Sequence, residues 1–412
     1  MKLRLFILFT LLCFQISSAQ WLQRANFPGT AKAKSTSFTI GNKIYVVGGV
    51  DNAATILRDF WEYNISSNTW TQNPDFPGDE RYGAVSFVLN NKGYIATGGN
   101  DFGYLDDLWE YNPLTTSWVQ KTGLPAGQAQ HENQRVEAYS FVIGNKAYLG
   151  GGEGFVFGPN STSNIAFYDL WEYDPAIDTW IQKADIPDFI GRDLAIGISI
   201  NNKGYVGLGC NVQQTINHHS FWEYDPVTNS WTSKSNFPSS FGVDACAFVL
   251  NSTLYVAGGV NLNPVSLSNQ FYKYNPVTDS WTLLNVFNGG AIAGAFTAST
   301  GTSAFLGTGY HANLTTRNDL WEYTIPTGIS ETGYSAAGSF AVYPNPASDF
   351  ITVNTRSALS GSAYTISDIT GRSVQSSEFG EEHQVLNVSA LPAGLYLIKI
   401  ENDNITYKFL KN

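Results

Sequence analysis

Six tryptophans recur along the chain at similar spacing, and the repeat that they mark starts and stops in mid-unit. They are Trp21, Trp70, Trp118, Trp180, Trp231 and Trp281, separated by 49, 48, 62, 51 and 50 residues. An aromatic residue stands nine positions before each of them except Trp21, and Trp321 has no tryptophan nine positions after it. A ring in which the first segment completes the last unit explains this offset, whereas a linear array does not.

Each unit has the pattern of four short antiparallel strands. In the second unit an apolar stretch, an Asn90-Asn91 turn, a returning strand and a Gly98-Gly99 break precede an alternating strand and then Trp118. A period of about 50 residues is typical of propeller blades rather than of helical solenoids. The sequence therefore predicts an all-β fold, a six-bladed β-propeller closed by its N-terminal strand.

These units resemble the kelch family, in which a glycine pair follows the second strand and a spaced aromatic residue and tryptophan come later. The glycine pairs are Gly48-Gly49, Gly98-Gly99, Gly151-Gly152 and Gly258-Gly259. The resemblance covers roughly residues 21–325 and implies a kelch propeller. Glutamates recur between the inward-facing aromatic residues of the third strands, so we interpret them as scaffold positions rather than catalytic acids; they are Glu62, Glu110, Glu172, Glu223 and Glu322.

The chain is predicted to have four segments. Its start reads as a secretory signal peptide, because Lys2 and Arg4 precede a short apolar stretch and a small-residue cleavage site. No apolar run is long enough to span a bilayer. The expected segments are a signal peptide over 1–19, the propeller over 20–326, a Gly/Ser/Thr/Ala-rich linker over 327–339 and a small β-sandwich over 340–412.

Charge and cysteine content limit the possible partners and cross-links. The formal net charge of -11 makes nucleic acid and anionic membrane surfaces poor partners. Beyond the signal segment the cysteines are Cys210 and Cys246. An oxidising compartment permits a disulfide between them, but two buried thiols are the favoured interpretation.

The connections between strands predict which face of the propeller binds. The a–b and c–d turns of each unit, with strands lettered a to d in chain order, are short and nearly identical. The b–c and d–a connections, at the other end of the blades, vary in length, and the third unit has long ones over 126–134 and 153–167. Binding loops belong on this varied face, which we call the long-loop face.

Basic residues recur thirteen positions before the strand-b tyrosine in four units, at Lys32, Arg81, Arg135 and Arg192. The fifth and sixth units break the series with Gly242 and Ile292. One hypothesis is that the four cations ring the channel mouth and bind an anionic glycan through forked contacts. The alternative is that each basic residue ties its blade to the next by pairing with an acid such as Asp101, Asp193 or Asp244.

Two kinds of enzyme on this fold offer alternative functions. Copper-radical galactose oxidases need two histidines, two tyrosines and a modified cysteine around one metal, whereas the histidines of this chain are scattered, so no metal or cofactor is predicted. A six-bladed sialic-acid mutarotase would use an acid, a base and an arginine at the channel mouth. Carboxylates that could serve beside the cations are Glu80, Glu137, Asp193 and Asp244, and this remains an analogy of fold.

The C-terminal module resembles the type A C-terminal sorting domain of the type IX secretion system of Bacteroidota. Three elements carry the resemblance, namely Tyr343-Pro344-Asn345-Pro346, Leu391-Pro392-Ala393-Gly394-Leu395-Tyr396 and the basic Lys408-Phe409 end. It implies the type IX secretion machinery as a partner, then cleavage near the linker and either release or attachment to the cell surface.

The sequence thus favours a secreted or cell-surface kelch propeller that binds a glycan or a protein as a monomer. The alternative is a carbohydrate-active enzyme, a sialic-acid mutarotase or epimerase in the first place and a galactose-oxidase-like enzyme in the second. The ligand-binding candidates are Lys32, Arg81, Arg135, Arg192, Asp193, Asp244 and Glu137.

Overall fold

The computed structural model divides the chain into two compact units, Met1–Ile325 and Pro326–Asn412. It describes residues 20–125, 133–158, 161–188, 190–211 and 216–325 of the first. In the second it describes residues 341–343, 347–354, 362–368, 372–380, 383–392, 394–400 and 405–411. The predicted signal peptide, the predicted linker and most of the 126–134 connection lie outside the described residues.

The described strands of the first unit form six principal antiparallel sheets. Blade one has Thr36–Ile40, Lys43–Asp51, Ile56–Asn64 and Thr69–Asn73, with the short Lys32–Ala33 also paired to its second strand. Blade two has Val85–Leu89, Lys92–Ala96, Leu108–Asn112 and Ser117–Lys121. Blade three has Tyr139–Ile143, Lys146–Gly150, Leu170–Asp174 and Thr179–Gln182.

The remaining blades repeat the same order. Blade four has Ile196–Ile200, Lys203–Gly207, Phe221–Asp225 and Ser230–Lys234. Blade five has Cys246–Leu250, Thr253–Ala257, Phe271–Asn275 and Ser280–Leu283. Blade six has Phe296–Ser299, Ser303–Gly307 and Leu320–Thr324, and its fourth strand is Gln20–Gln23 from the other end of the unit.

The fourth strand of blade six pairs the two ends of the propeller unit. Gln20–Gln23 runs antiparallel to Leu320–Thr324, with Trp21 opposite Tyr323. The Trp21 ring packs edge-on against Phe287 at 4.6 Å and lies 5.0 Å from the Tyr323 ring. Beside it, Arg24 forms an ion pair with Glu322. This is the pairing that the mid-unit offset of the tryptophans predicts.

The core lies between neighbouring sheets. The second strands are buried on both faces, as in Lys146–Gly150, because each is sandwiched between two blades. Residues of blade two, such as Leu108, share one hydrophobic cluster with Tyr173 and Trp180 of blade three. Likewise Ile44 of blade one clusters with Phe305 of blade six. The repeated aromatic side chains therefore fill the space between neighbouring blades. The all-β propeller fold is confirmed.

The recurrent glutamates have structural partners, in agreement with a scaffold role. The strand-b tyrosine donates its hydroxyl to the glutamate of the paired strand c, at 2.6 Å for both Tyr148–Glu172 and Tyr205–Glu223. In blade six the strand-b residue opposite Glu322 is Phe305, which has no hydroxyl. There Arg24 from the closing segment supplies the hydrogen bond instead, from Nε at 2.6 Å.

Small hairpins extend the b–c connections on the long-loop face. They pair Gly99–Asn100 with Gly103–Tyr104, Glu153–Gly158 with Ser161–Ala166, Cys210–Asn211 with Ile216–Asn217, and Val260–Leu262 with Val265–Leu267. The b–c connection of blade six holds a single 3-10 turn, Ala312–Leu314. Cys210 and Cys246 are buried free thiols.

The second unit has two antiparallel sheets. One has the order Ala341–Tyr343, Phe350–Asn354, His383–Asn387, and the other Ser373–Glu378, Ala363–Asp368, Gly394–Ile400, Ile405–Lys411. Buried side chains from both sheets, including Ile351, Leu386, Tyr364 and Phe409, form one core of their own.

Candidate functional site

The four cations of the predicted ring are buried inside their blades. The side chains of Lys32, Arg81, Arg135 and Arg192 are all fully shielded from solvent. Arg81 makes a forked contact with the carboxylate of Asp107, at 2.7 and 2.8 Å, and Arg135 does the same with Asp169. Burial lowers the pKa of Lys32, an effect that the charge of Asp59 partly offsets. These cations therefore do not present a ring of charge at the channel mouth.

Each of the four basic residues pairs with an acid, as the alternative interpretation expected, but the acids are different ones. The acids are Asp59, Asp107, Asp169 and Asp188 rather than Asp101, Asp193 or Asp244. Three of them lie two positions before the strand-c tryptophan of the same blade and also accept its indole N–H. Each such contact thus joins the entry of a blade to that blade's own third strand, and does not tie it to the next blade as the alternative expected.

The mouth of the channel is lined by a different set of residues, two positions further along the chain. They are Lys34, Gly83, Glu137, Leu194, Asp244 and Gly294, one per blade, and all have φ between 52° and 59°. The amide of each donates to the carbonyl of its predecessor, at 2.8 to 3.1 Å, and Lys34 donates to Gly294. Six backbone hydrogen bonds therefore run round the mouth as a continuous circle.

Three side chains of this circle meet at its centre. The Lys34 ammonium lies 2.7 Å from Asp244 Oδ2 and 2.9 Å from Glu137 Oε1. All three are largely buried, with 12%, 15% and 17% of their side chains exposed. They come from blades one, five and three, so the charges cross the mouth and link alternate blades. We call Lys34, Glu137 and Asp244 the mouth triad.

Burial and charge act in opposite directions within the mouth triad. Burial alone lowers the pKa of Lys34, but the neighbouring charges of Asp244 and Glu137 outweigh it and the pKa is raised. For Asp244 burial dominates and, together with the charge of Glu137, outweighs the attraction of Lys34, so its pKa is raised to about 6. Lys34 is therefore firmly cationic, whereas Asp244 titrates close to neutral pH.

The glycines of the circle leave room for these carboxylates. A Cβ at Gly294 would lie 2.8 Å from Asp244 Oδ2, and one at Gly83 would lie 2.8 Å from the Glu137 carboxyl group. Glu137 and Asp244 are among the ligand-binding candidates predicted from the sequence, whereas Lys34 is not. The available signal was a second basic residue two positions after Lys32, in register with both acids.

Further acids and phenols lie round the mouth triad. Glu153 has a raised pKa because of burial, and the charge of Glu137 adds to it. Tyr82 and Tyr310 are half-buried, and burial together with the charge of Glu137 raises the pKa of each. Asp193 accepts a hydrogen bond from the Cys210 thiol, at 2.8 Å. The mouth thus has more carboxylate than ammonium among its described residues.

The comparisons with known proteins agree with this architecture. A KLHDC2/KLHL20/DRC7 Kelch-repeats domain matches residues 7–152, a Kelch motif matches residues 242–285, and a secretion system C-terminal sorting domain matches residues 341–412. The chain thus contains kelch repeats and a C-terminal sorting domain, and its first unit has an all-β propeller fold. The solved structure of YjhT has 18% sequence identity and a TM-score of 0.60, over 74% of this chain and 98% of that chain.

The likeness to YjhT is one of fold, at this level of identity. No curated protein sequence matches the chain significantly. The type IX sorting domain of the kelch protein indicates export to the medium or the outer surface, with removal of the tail, and links the chain to Bacteroidota. Within the described ranges, no helix has the length and apolar character needed to cross a membrane. Nor do three His, Cys, Asp or Glu side chains of those ranges cluster as a metal site would require.

Proposed function

We propose that the exported kelch propeller is a monomeric binding module, and that it holds a neutral glycan at the mouth of its long-loop face. Support comes from the groups gathered there. Glu137, Glu153 and Asp244 offer carboxylate acceptors, and Tyr82 and Tyr310 offer phenol groups that both donate and accept. Hydroxyl groups of a sugar are matched to such acceptors and donors.

The charge balance of the mouth argues for a neutral ligand. The four cations that suggested an anionic glycan are committed to aspartates inside the blades. At the mouth, Lys34 already binds two carboxylates. A carboxylated or sulfated sugar would therefore meet excess negative charge at close range. A ligand with hydroxyl or amino groups avoids this repulsion.

The observation that carries the proposal is the preorganised mouth. The backbone circle fixes the Cα positions of the mouth triad, and two ion pairs fix its side chains. A rigid site loses less conformational entropy when a ligand binds. The long-loop face is also where the connections of the blades differ most, which is where ligand specificity resides in a repeat scaffold.

The test is binding of the exported protein to a glycan array, followed by calorimetry. We expect neutral or amino glycans to bind and sialylated or sulfated ones to bind at least about tenfold more weakly, a difference of about 1.4 kcal/mol. Tyr310→Phe and Glu153→Gln should each weaken binding by about three- to tenfold through one lost hydrogen bond. Asp225→Asn, on the opposite face, should leave it unchanged. A sedimentation measurement checks for a single chain.

Three results would count against this proposal. They are the absence of binding to any glycan, a preference for anionic glycans, and equal effects of the mouth variants and Asp225→Asn. Binding to a protein partner without any glycan affinity would replace the glycan by a protein ligand.

A second candidate, a sugar mutarotase or epimerase, is favoured by one observation. The pKa of Asp244 is raised to about 6, chiefly by burial, and acids that titrate near neutral pH suit general acid–base work. We expect such an enzyme to accelerate anomer exchange, measured by NMR, with a rate that falls at least about a hundredfold in Asp244→Asn. Binding of sugars without faster exchange would exclude it.

A further inference from the structure

We propose that a second saccharide subsite lies beside the mouth, in a cavity lined mainly by the b–c hairpin of blade two, so that the ligand is an oligosaccharide. This inference rests on the proposed function and extends its binding site outward. The cavity measures about 460 Å³ and is lined by Asp79, Glu80, Asn100, Phe102, Tyr104 and Gln134. Its volume falls in the range of small-molecule sites, about 300–1,000 Å³, and is ample for a sugar ring.

The aromatic wall of the cavity is held in place by its own hairpin. In the turn between Gly99–Asn100 and Gly103–Tyr104, the Asn100 side chain accepts the amides of Phe102 at 2.8 Å and of Gly103 at 3.1 Å. This fixes a tight turn and presents Phe102 outward, with 91% of the residue exposed. A phenylalanine so exposed contributes little to the core, but its rigid ring is available to a ligand.

Tyr104 connects the cavity to the mouth. Its ring stacks on Phe155 with centroids 4.5 Å apart and planes 12° from parallel. Burial raises the pKa of its hydroxyl and the charge of Glu153 adds to this, while the pKa of Glu153 is in turn raised by burial and by the charge of Glu137 of the mouth triad. Tyr104 therefore lines the cavity and is close enough to Glu153, beside the mouth, to be affected by its charge, so we expect a longer ligand to extend past this side chain.

The chemistry of the wall suits a neutral sugar ring. A pyranose has an apolar C–H face that packs on aromatic rings and a rim of hydroxyls that need hydrogen-bond partners. Phe102 and Tyr104 provide the aromatic surface. Asp79 and Glu80 provide carboxylate acceptors, and Asn100 and Gln134 provide amides. The two carboxylates disfavour an anionic sugar for the same reason as at the mouth.

The test compares ligand length in the full chain. Calorimetry with the monosaccharide and with the tri- or tetrasaccharide of the best array ligand should show at least about tenfold tighter binding of the longer one. Phe102→Ala should remove that gain, about tenfold, and leave monosaccharide affinity unchanged, because only the outer subsite loses its stacking surface. Asp79→Asn/Glu80→Gln should reduce the same gain. Leu114→Ala is the matched control, since Leu114 is 93% exposed in a c–d turn on the opposite face.

The possible failures are distinguishable. If glycans bind and Tyr310→Phe weakens them, but chain length or Phe102→Ala has no effect, the subsite is wrong and the proposed function stands. If no glycan binds, the subsite and the proposed function are both wrong. If Phe102→Ala abolishes capture of a peptide or protein ligand instead, the cavity is a protein-binding site and the saccharide assignment is overturned.

Discussion

At the scale of single residues, each of the four buried cations has a carboxylate partner. Arg81 and Arg135 each have an aspartate partner in their own blade. Blade five has Gly242 at the cation position and Gln270 two residues before its strand-c aromatic residue, so it lacks both charges. A buried ion without a partner is costly, which explains why blade five lacks both charges. In blade four Asp188 pairs with Arg192, because Ser220 stands at the strand-c position. In blade six Asp319 faces His311 rather than a cation at Ile292.

Loss of one member of such a pair should be severely destabilising. We expect Arg81→Ala to lower the free energy of unfolding by about 3–5 kcal/mol, because it leaves Asp107 without its forked partner. Urea denaturation measures the change. The control is Arg58→Ala, where the arginine is 55% exposed and 3.7 Å from Asp75, and the expected loss is below about 1 kcal/mol.

Removing both charges separates pairing from packing. Arg81→Met/Asp107→Leu should regain part of the stability lost in Arg81→Ala, because no ion is left unpaired. Equal stability of Arg81→Ala and Arg58→Ala would show that the buried pair contributes no more than a surface one.

The mouth triad should give stability a pH dependence of definite sign. The pKa of Asp244 is raised from 3.8 to about 6 in the folded state, mainly by burial, so the folded protein binds this proton more tightly than the unfolded chain. Stability from this group is full below about pH 4 and is lost as the pH rises through 6. The Asp244→Asn variant has no carboxyl group at this position, so it does not lose stability in this way as the pH rises.

Relative to the native protein, Asp244→Asn should therefore gain stability between about pH 4 and pH 7, on the order of 2–3 kcal/mol. Denaturation curves of the two proteins at each pH give the difference, in which other titrating groups largely cancel. Asp225 is the contrast, because hydrogen bonding to Lys203 lowers its pKa. Asp225→Asn should show a flat difference over that range. A flat difference for Asp244→Asn would contradict its raised pKa.

At the scale of elements, the short closing strand should contribute far more than its length suggests. Trp21 is 7% exposed and contacts Phe287, Phe271 and Tyr323. We expect Trp21→Ala to lower the free energy of unfolding by about 3–5 kcal/mol, as measured by thermal or urea denaturation. Leu22, the next residue of the same strand, is 46% exposed, and Leu22→Ala should cost less than about 0.5 kcal/mol. A similar loss of unfolding free energy in both variants would mean that the buried Trp21 stabilises the propeller no more than the exposed Leu22 does.

The order of elements was predictable from the sequence, because the tryptophan period, the glycine pairs and the Asn turns all reflect local backbone needs. The direction of the mouth side chains was not. Counting from the strand-b tyrosines located the right segment, but Lys34, Glu137 and Asp244 adopt a positive φ that is uncommon for non-glycine residues. That kink turns them toward the channel, whereas the cations two positions earlier turn into their blades.

The aromatic cavity escaped prediction for a related reason. Phe102 reads as one more apolar residue in a chain that is 14% aromatic. Its exposure depends on the Asn100 turn and on the hairpin register, which are products of the folded b–c connection. Sequence periodicity describes the scaffold strands and carries little information about such connections.

At the scale of the whole molecule, the two units have separate hydrophobic cores. Among the described residues, the buried cluster of the second unit consists of side chains between Ala347 and Phe409. Each unit can therefore be altered without opening the core of the other. The sorting domain indicates where the propeller goes.

Deleting residues 341–412, the matched sorting domain, should leave a folded propeller that is not exported. We expect the truncated chain to unfold at the temperature of the intact propeller transition, because its six blades and closing strand are all retained. Cell fractionation with an antibody to the propeller should find it retained in the periplasm, whereas the full chain reaches the medium or the outer surface.

Phe409→Asp is the matched point variant, since Phe409 is fully buried in the core of the sorting domain. A charge there should unfold that domain alone, and so block export while the propeller transition stays unchanged. Normal export of either variant would show that the sorting domain is not what directs secretion, and a lowered propeller transition in the deletion would show that the two units depend on each other for stability.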